Sequence, residues 1–247
     1  MRDQFLNTRE AAEFLRVSEA SIRRWTDAGL LSTQRVGGRR ERRFTEEDLR
    51  QFMTRGQQAT RAGSQGVDHE VSLRGVNFAV PCHLSSYYGS DEGRLRLAVP
   101  FLAAGLRAAN PCFLSASGEL LEAYRQAFEA EGVDIGAAAE LGRLVICTPP
   151  GRTAGEALAY WEEAWGRALE KGPAVIRVVG DMASEIEVFA SVQDMMAYEE
   201  SYDLLARRYP VATLCQYDVR AFDGVTLLRS LKAHPDVFGL GLGNFLV

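Results

Sequence analysis

Residues 174–180 read Ala174-Val175-Ile176-Arg177-Val178-Val179-Gly180, an apolar run broken only by Arg177. Its apolar residues do not alternate with polar ones, so it predicts a strand covered on both faces, the kind found in parallel sheets. Four more short runs share its character: residues 75–83 (GVNFAVPCH), 111–115 (PCFLS), 143–148 (RLVICT) and 211–217 (VATLCQY). Helical spacing lies between them. Leu95, Ala98, Val99, Leu102 and Leu106 keep one apolar stripe, with Pro100 predicting a kink or an early start, and Leu158, Trp161, Trp165 and Leu169 keep another. Strand and helix in strict alternation specify an α/β sandwich with a mainly parallel sheet, one domain over residues 71–247.

Outward from that body the composition changes. The chain has 247 residues, 47% of them hydrophobic, and a net charge of −5 from 28 Lys+Arg against 33 Asp+Glu. Residues 1–62 contain 13 Arg and 9 Asp+Glu, or +4, which leaves −9 for the remainder. A basic module attached to an acidic one flags a nucleic-acid-facing end. Residues 55–70 (RGQQATRAGSQGVDHE) lack large apolar side chains and predict a flexible linker between a domain over 1–54 and the α/β domain. No apolar run is long enough to span a bilayer and the N-terminus is charged, so a cytoplasmic protein without a membrane partner is expected. Cys82, Cys112, Cys147 and Cys215 form no CxxC pair, which predicts buried reduced thiols and neither a disulfide scaffold nor a zinc ribbon.

Within the basic module, Asn7 and Glu10 have capping-box spacing ahead of Ala11, Ala12, Phe14 and Leu15. A turn at Val17 leads to a second helix over 18–28, capped by Ser18 and ended by Gly29, with Ile22 and Trp25 inward and Ser21, Arg23 and Arg24 outward. Two strands around Gly37-Gly38 then carry Arg39, Arg40, Arg42 and Arg43, and Thr45 caps a third helix over 46–53 whose Leu49 and Phe52 close a small core. A basic helix beside a basic hairpin is the geometry of a winged helix-turn-helix, in which the helix enters a major groove and arginines reach phosphates or guanine edges. Ser21, Arg23, Arg24, Arg39, Arg40, Arg42 and Arg43 are the expected contacts to double-stranded DNA. The segments Leu6-Asn7-Thr8-Arg9-Glu10-Ala11-Ala12, Ser21-Ile22-Arg23-Arg24-Trp25, Ala28-Gly29-Leu30-Leu31 and Arg42-Arg43-Phe44-Thr45 resemble the winged helix-turn-helix of the MerR and excisionase superfamily. Glu41 stands where that family often has histidine.

In open α/β sheets, ligands bind beyond the carboxyl ends of the strands. The expected edge gathers His83 and Tyr87 after the first strand, Asp181 after AVIRVVG, and Cys215, Tyr217 and Asp218 from the last. No GxxxxGK[ST] is present, no GxGxxG follows the first strand, and Gly241-Leu242-Gly243 lacks a following helix, so triphosphate binding loses its usual basis. Arg177 and Glu199 are charges on apolar stripes, and their pairing is expected, against the alternative that each reaches solvent. His83 suits a ligand, metal or phosphoacceptor role as well as a plain buried histidine. A zinc set from Cys82, Cys215 and Asp218 is disfavoured because Cys82 and His83 point to opposite faces, so no metal and no cofactor are expected. His234-Pro235 reads as a helix C-terminus, and Trp161 with Trp165 as core or dimer contact.

His83 with Tyr87, Phe101-Leu102 with Gly105-Leu106, Arg177 with Gly180-Asp181-Met182, Tyr198-Glu199, and Leu214-Cys215-Gln216-Tyr217-Asp218 followed by His234-Pro235 resemble the MEDS sensory domain over about residues 70–247. That resemblance implies a RecA/KaiC-like three-layer sandwich without the phosphate-binding loop, and a sensory role. Asp181 stands where glutamate is common. The expected function is a one-component transcriptional regulator, as a repressor, whose α/β domain senses a small molecule or a signalling partner through His83, Tyr87, Arg177, Asp181, Glu199, Cys215, Tyr217 and Asp218. A homodimer is expected because one small module makes few base contacts. Two other readings remain: a RecA-like ATPase tethered to DNA, and a partner-switching protein with a vestigial pocket.

Overall fold

The computed structural model describes residues 5–15, 19, 22–23, 26, 31–36, 41–50, 52, 69–147, 152–170, 172–234 and 236. At the N-terminus, β1 (Phe5–Leu6), α1 (Thr8–Leu15), β2 (Gln34–Val36) and β3 (Glu41–Thr45) form a three-stranded antiparallel sheet in the order β1-β3-β2 with one helix. The expected capping box closes α1: the Glu10 amide donates to Asn7 Oδ1 at 3.0 Å and the Asn7 amide to Glu10 Oε2 at 2.8 Å. The same reciprocal arrangement joins Thr45 and Asp48 at the start of the helical residues 46–50. Ala11, Ala12, Ile22, Leu31, Phe44 and Leu49 form the buried core, with Leu6, Phe14, Phe52 and Leu204 packed on it. The pairing of β1 with β3 was not legible, since two residues carry no periodicity. Ser18, Trp25, Gly29, Gly37 and Gly38, the rest of the second helix outside 19, 22–23 and 26, and linker residues 55–68 lie outside the described residues, and Glu70 already belongs to a strand.

The larger body begins with a hairpin, β4 (Glu70–Leu73) and β5 (Val76–Ala79), turned by Arg74 and Gly75 at φ of 51° and 79°. Positive φ at both central residues is what a two-residue hairpin turn demands, and glycine meets it without a Cβ penalty. After Pro81 come β6 (Cys82–Tyr88), α2 (Asp91–Arg107), β7 (Cys112–Ser115), α3 (Gly118–Ala130), α4 (Ile135–Glu140), β8 (Leu144–Cys147) and α5 (Ala154–Leu169). They are followed by β9 (Ile176–Asp181), α6 (Met182–Glu185), α7 (Val192–Ala206), β10 (Val211–Asp218) and α8 (Gly224–Ala233). The five long-range strands pair in parallel in the order β6-β10-β9-β7-β8.

Alternation along these strands builds two cores, one on each face of the sheet. Leu84, Leu114, Val179 and Leu214 face Phe101, Leu102, Tyr124 and Phe128 of α2 and α3. Val178, Cys215 and Tyr217 face Trp161 and Trp165 of α5 and Met195, Tyr198 and Tyr202 of α7. The sandwich is therefore three layers, as expected. Pro100 sits inside α2, which runs on through it to Arg107.

Four of the five expected strands lie where the sequence put them. The first does not. GVNFAVPCH spans β5 and the turn before the sheet, and the true first strand is Cys82-His83-Leu84-Ser85-Ser86-Tyr87-Tyr88, every residue of it buried. Its serines, tyrosines and histidine read as a polar strand end, but they are buried: Tyr87 bonds Ser85 and Ser230, Tyr88 bonds Asp181 and His83 meets Cys215, partners that hydropathy alone cannot reveal.

Candidate functional site

On the N-terminal module, Arg23 Nη2 lies 2.7 Å from Glu19 and Arg43 Nη2 lies 2.7 Å from Glu41. Phe44 is fully buried, so strand alternation sets Glu41 and Arg43 on the face away from it and Arg42 on its own side. Gln34 stands opposite Arg43, and Arg35 opposite Arg42. Ser21, Arg24, Arg39 and Arg40 lie outside the described residues.

The eight expected pocket residues divide between the two faces of the sheet. His83, Tyr87, Cys215 and Tyr217 project onto the α7 face, where Glu199 meets them. Arg177, Asp181 and Asp218 project onto the opposite face. The expected Arg177–Glu199 pair is thus ruled out, because the sheet stands between them, and neither residue reaches solvent: Arg177 is 7% exposed and Glu199 1%. Arg177 Nη1 donates instead to the Phe101 carbonyl at 2.8 Å, with the guanidinium 5.0 Å above the Phe101 ring. Burial pulls its pKa below the usual arginine range, with Cys112 and Cys82 opposing.

His83 is also displaced from its expected place. It is the second residue of β6, at the amino end of the sheet, not beyond the carboxyl end. There its Nε2 lies 3.3 Å from Cys215 Sγ and 3.8 Å from Glu199 Oε2, and its Nδ1 lies 3.5 Å from Asp203 Oδ1. His234, the C-cap of α8 and fully buried, completes the group: its Nε2 is 3.0 Å from Glu199 Oε2 and its Nδ1 2.6 Å from the Ser230 carbonyl. Tyr217 donates its hydroxyl to Glu199 Oε2 at 3.0 Å, and Tyr87 stacks on Tyr217 while bonding Ser230 and Ser85. Asp203 pairs in turn with Arg207 at 3.1 Å, and Arg207 with Asp236 at 2.8 Å.

The electrostatics follow from burial set against neighbours. Burial alone raises the Glu199 carboxyl, but the histidines and the Tyr217 hydroxyl outweigh it and hold it below the usual carboxylate range. Burial and then His234 lower the His83 pKa against the pull of Asp203 and Glu199. Burial and the Glu199 charge push the Cys215 thiol well above its ordinary value. Burial likewise lifts Cys82 and Cys112 to about 12 and Cys147 to about 11, so none of these three is primed as a thiolate. All four cysteines are free.

At the carboxyl edge a separate network forms. Arg94 Nε lies 3.3 Å from Asp181 Oδ2 and donates to the Tyr88 hydroxyl at 3.1 Å; that hydroxyl donates to Asp181, also at 3.1 Å. Asp181 caps α6 through the Ser184 amide, and burial raises its pKa against the opposition of Arg94. Asp218 is held apart by Arg220, which reaches on to Asp91. Only two residues, Gly89 and Ser90, separate β6 from α2; Ser90 accepts the Gly93 amide, and Asp91 and Glu92 occupy the first turn. Asp91 and Glu92 at the start of α2 oppose a phosphate there.

Sequence reasoning missed Asp203, Arg94 and Tyr88, and gave His234 only a terminal role. Arg94 left one signal, a Gly-Arg pair just past the first strand. Trp161 and Trp165 are core, with Trp161 donating to the Tyr198 hydroxyl at 2.7 Å.

Residues 82–235 match the family described as MEDS, the methanogen/methylotroph, DcmR sensory domain. The chain belongs to the MEDS family. Residues 5–57 match a helix-turn-helix domain family. The transcriptional repressor DcmR of Methylorubrum extorquens (strain DSM 6343 / CIP 106787 / DM4) is 37% identical over 249 residues, covering 96% of this chain and 92% of that protein. Among solved structures, the KaiC-like protein of Pyrococcus horikoshii OT3 aligns with 64% of this chain and 71% of its own at 15% identity and a TM-score of 0.49. A second P. horikoshii protein, crystallised with an unknown peptide, covers 61% and 74% at 16% identity and a TM-score of 0.47. The MEDS match runs from β6 to the end of α8, so all the elements that supply the buried His83–Glu199–Cys215–His234 group fall inside it. Among the described residues, no helix is long and apolar enough to cross a membrane.

Proposed function

We propose that this MEDS-family chain is a one-component transcriptional repressor, with a DNA-reading domain over residues 1–54, a linker, and a sensory domain over 71–247 that responds to a small molecule or a signalling partner. The observation that carries this reading is the end-to-end similarity to a transcriptional repressor, which spans both matched domains. The N-terminal module reads double-stranded DNA through Ser21, Arg23, Arg24, Arg39, Arg40, Arg42 and Arg43, acting as a homodimer so that two modules meet two half-sites. Within the sensory domain, His83, Tyr87, Glu199, Cys215 and Tyr217 form one responsive unit and Asp181 with Asp218 line the opposite, carboxyl-edge unit, while Arg177 supports α2. The protein works in the cytoplasm and turns over no substrate. The acidic first turn of α2 and the two-residue connection before it support that last point against an ATPase.

The test is fluorescence anisotropy of the full chain with duplexes from the region upstream of its own gene, together with light scattering. Dimers that bind one duplex far more tightly than a scrambled duplex, with affinity falling steeply as salt rises, are expected. Equal affinity for every duplex contradicts the repressor reading, and sustained ATP hydrolysis by the same preparation supports the tethered ATPase instead.

A further inference from the structure

We infer that His83, Glu199, Cys215 and His234 form a closed, four-ligand site for a divalent transition metal of the zinc class. One ligand atom from each lies within 4.8 Å of every other, and all four residues are buried, with exposures of 0–3%. Their spacing, 3.0 Å at the close His234–Glu199 pair and no more than 4.8 Å at the widest, brackets that of a coordination tetrahedron. Zinc bonds of about 2.0–2.3 Å place tetrahedral ligand atoms roughly 3.3–3.6 Å apart. The distances are 3.3 Å from His83 Nε2 to Cys215 Sγ, 3.8 Å from His83 Nε2 to Glu199 Oε2, 3.0 Å from His234 Nε2 to Glu199 Oε2, and 3.9 Å from Cys215 Sγ to Glu199 Oε1.

The outer contacts set the tautomers such a site needs. A carbonyl oxygen only accepts, so the 2.6 Å contact between His234 Nδ1 and the Ser230 carbonyl puts the ring proton on Nδ1. His234 Nε2 then faces the Glu199 carboxylate at 3.0 Å, and this fully buried nitrogen has no partner in hydrogen-bond geometry. A metal ion seated between the two would bind both. His83 turns Nε2 to Cys215 and Nδ1 toward Asp203, 3.5 Å away and outside hydrogen-bond geometry, which places a carboxylate behind the ring as in the carboxylate–histidine–metal arrangement. The donor set of one thiolate, two imidazoles and one carboxylate selects a borderline or soft metal over magnesium or calcium. Thiolate and carboxylate also cancel the two charges of the ion, so the filled site is neutral at full burial. With four protein ligands and no open position the site is structural or sensory, not catalytic. It ties together β6, α7, β10 and the end of α8.

The binding inference does not depend on DNA recognition, and its test does not use DNA. The full chain, stripped of metal by a chelator during refolding, is titrated with cobalt(II). One equivalent bound, with the intense visible bands of tetrahedral cobalt and a thiolate-to-cobalt charge-transfer band, is expected, and zinc should displace it. Cys215→Ala should abolish the charge-transfer band and His234→Gln should weaken binding at least tenfold, while Cys82→Ala, whose thiol lies on the other face, should leave the spectrum unchanged. In case the site variants do not fold, X-ray absorption of the zinc-loaded wild type supplies a second reading, with one sulfur and three nitrogen or oxygen neighbours expected. Octahedral cobalt without a charge-transfer band, a zinc shell without sulfur, or no stoichiometric binding overturns the inference and leaves a proton shared between His234 and Glu199.

Discussion

Gly105→Ala tests how tightly the Arg177 side of the sheet is packed. A Cβ on Gly105 would lie 2.6 Å from Arg177 Cδ and 2.7 Å from Cys112 Sγ. Both fall about 1 Å inside the roughly 3.5–4 Å at which non-bonded carbon contacts are favourable. Alanine gains about 1 kcal/mol over glycine in a helix interior, overpacking a dense core costs about 1–3 kcal/mol, and losing a hydrogen bond from a charged donor costs a further ~1.5–3 kcal/mol if Arg177 swings off the Phe101 carbonyl. The expected net loss is therefore about 1.5–5 kcal/mol if Arg177 swings away and about 0–2 kcal/mol if it holds. Gly166→Ala, in exposed α5 with nothing within 4 Å of the new Cβ, is the matched control and should gain about 1 kcal/mol. Urea unfolding followed by the fluorescence of the buried Trp161 and Trp165 reads both variants on one scale. If Gly105→Ala raises the midpoint as Gly166→Ala does, the crowding argument and the account of Arg177 as a packed cation both fail. A double-mutant cycle with Arg177→Ala should return a coupling above ~1 kcal/mol if the clash is with that side chain.

Glu41→Gln frees Arg43 from its 2.7 Å partner and removes a carboxylate from the wing; exposed pairs of this kind are worth ~0.2–1 kcal/mol, so operator affinity should rise about 1.4- to fivefold at low salt, measured by anisotropy, and a drop refutes the assignment of this face to DNA. Arg43→Ala should lower affinity and flatten the dependence of log K on log salt by about one unit, and an unchanged slope removes Arg43 from the phosphate contacts. Burial, then the charges of Glu199 and Asp181, push the Glu185 carboxyl from 4.5 up to about 8, with Ser115 opposing. The unfolded chain ionises first as pH rises, so stability should fall between about pH 4.5 and 8 at up to ~1.4 kcal/mol per unit and level off above. Glu185→Gln should flatten that decline in urea melts at pH 5 and pH 8. A wild-type midpoint that rises over this interval contradicts the sign.

Much of the architecture was legible because it rests on periodicity. AVIRVVG and VATLCQY are apolar without alternation, and β9 and β10 follow from them. The capping box at Asn7–Glu10 and the cap at Thr45 are local chemistry with one geometric outcome, whereas Gly75, read as the start of a strand, makes the β4–β5 turn. The site was less legible, for two reasons. Strand β6 is polar where a core strand is expected, since His83, Ser85 and Tyr87 face other polar side chains, and this moved His83 to the wrong end of the sheet. Pairing also depends on which face a residue takes, and a shift of one position exchanges the faces. Arg177 and Glu199 looked complementary as two charges in apolar stripes, but the sheet lies between them. His234, more than 30 residues beyond Glu199, has a role that only the return of α8 across the sheet reveals.

Helix α7 brings two of these parts of the molecule together. It presents Glu199 and Asp203 to the buried histidines, while the next side chain along, Leu204, rests on the hydrophobic heart of the N-terminal module. From Glu199 to Leu204 is about 7.5 Å of rise along a stiff rod. The carboxylate that meets the histidines and the apolar side chain that rests on the N-terminal module thus share one continuous helix, so a change in how α7 is held at Glu199 would have only about a turn and a half of backbone to cross before reaching that module.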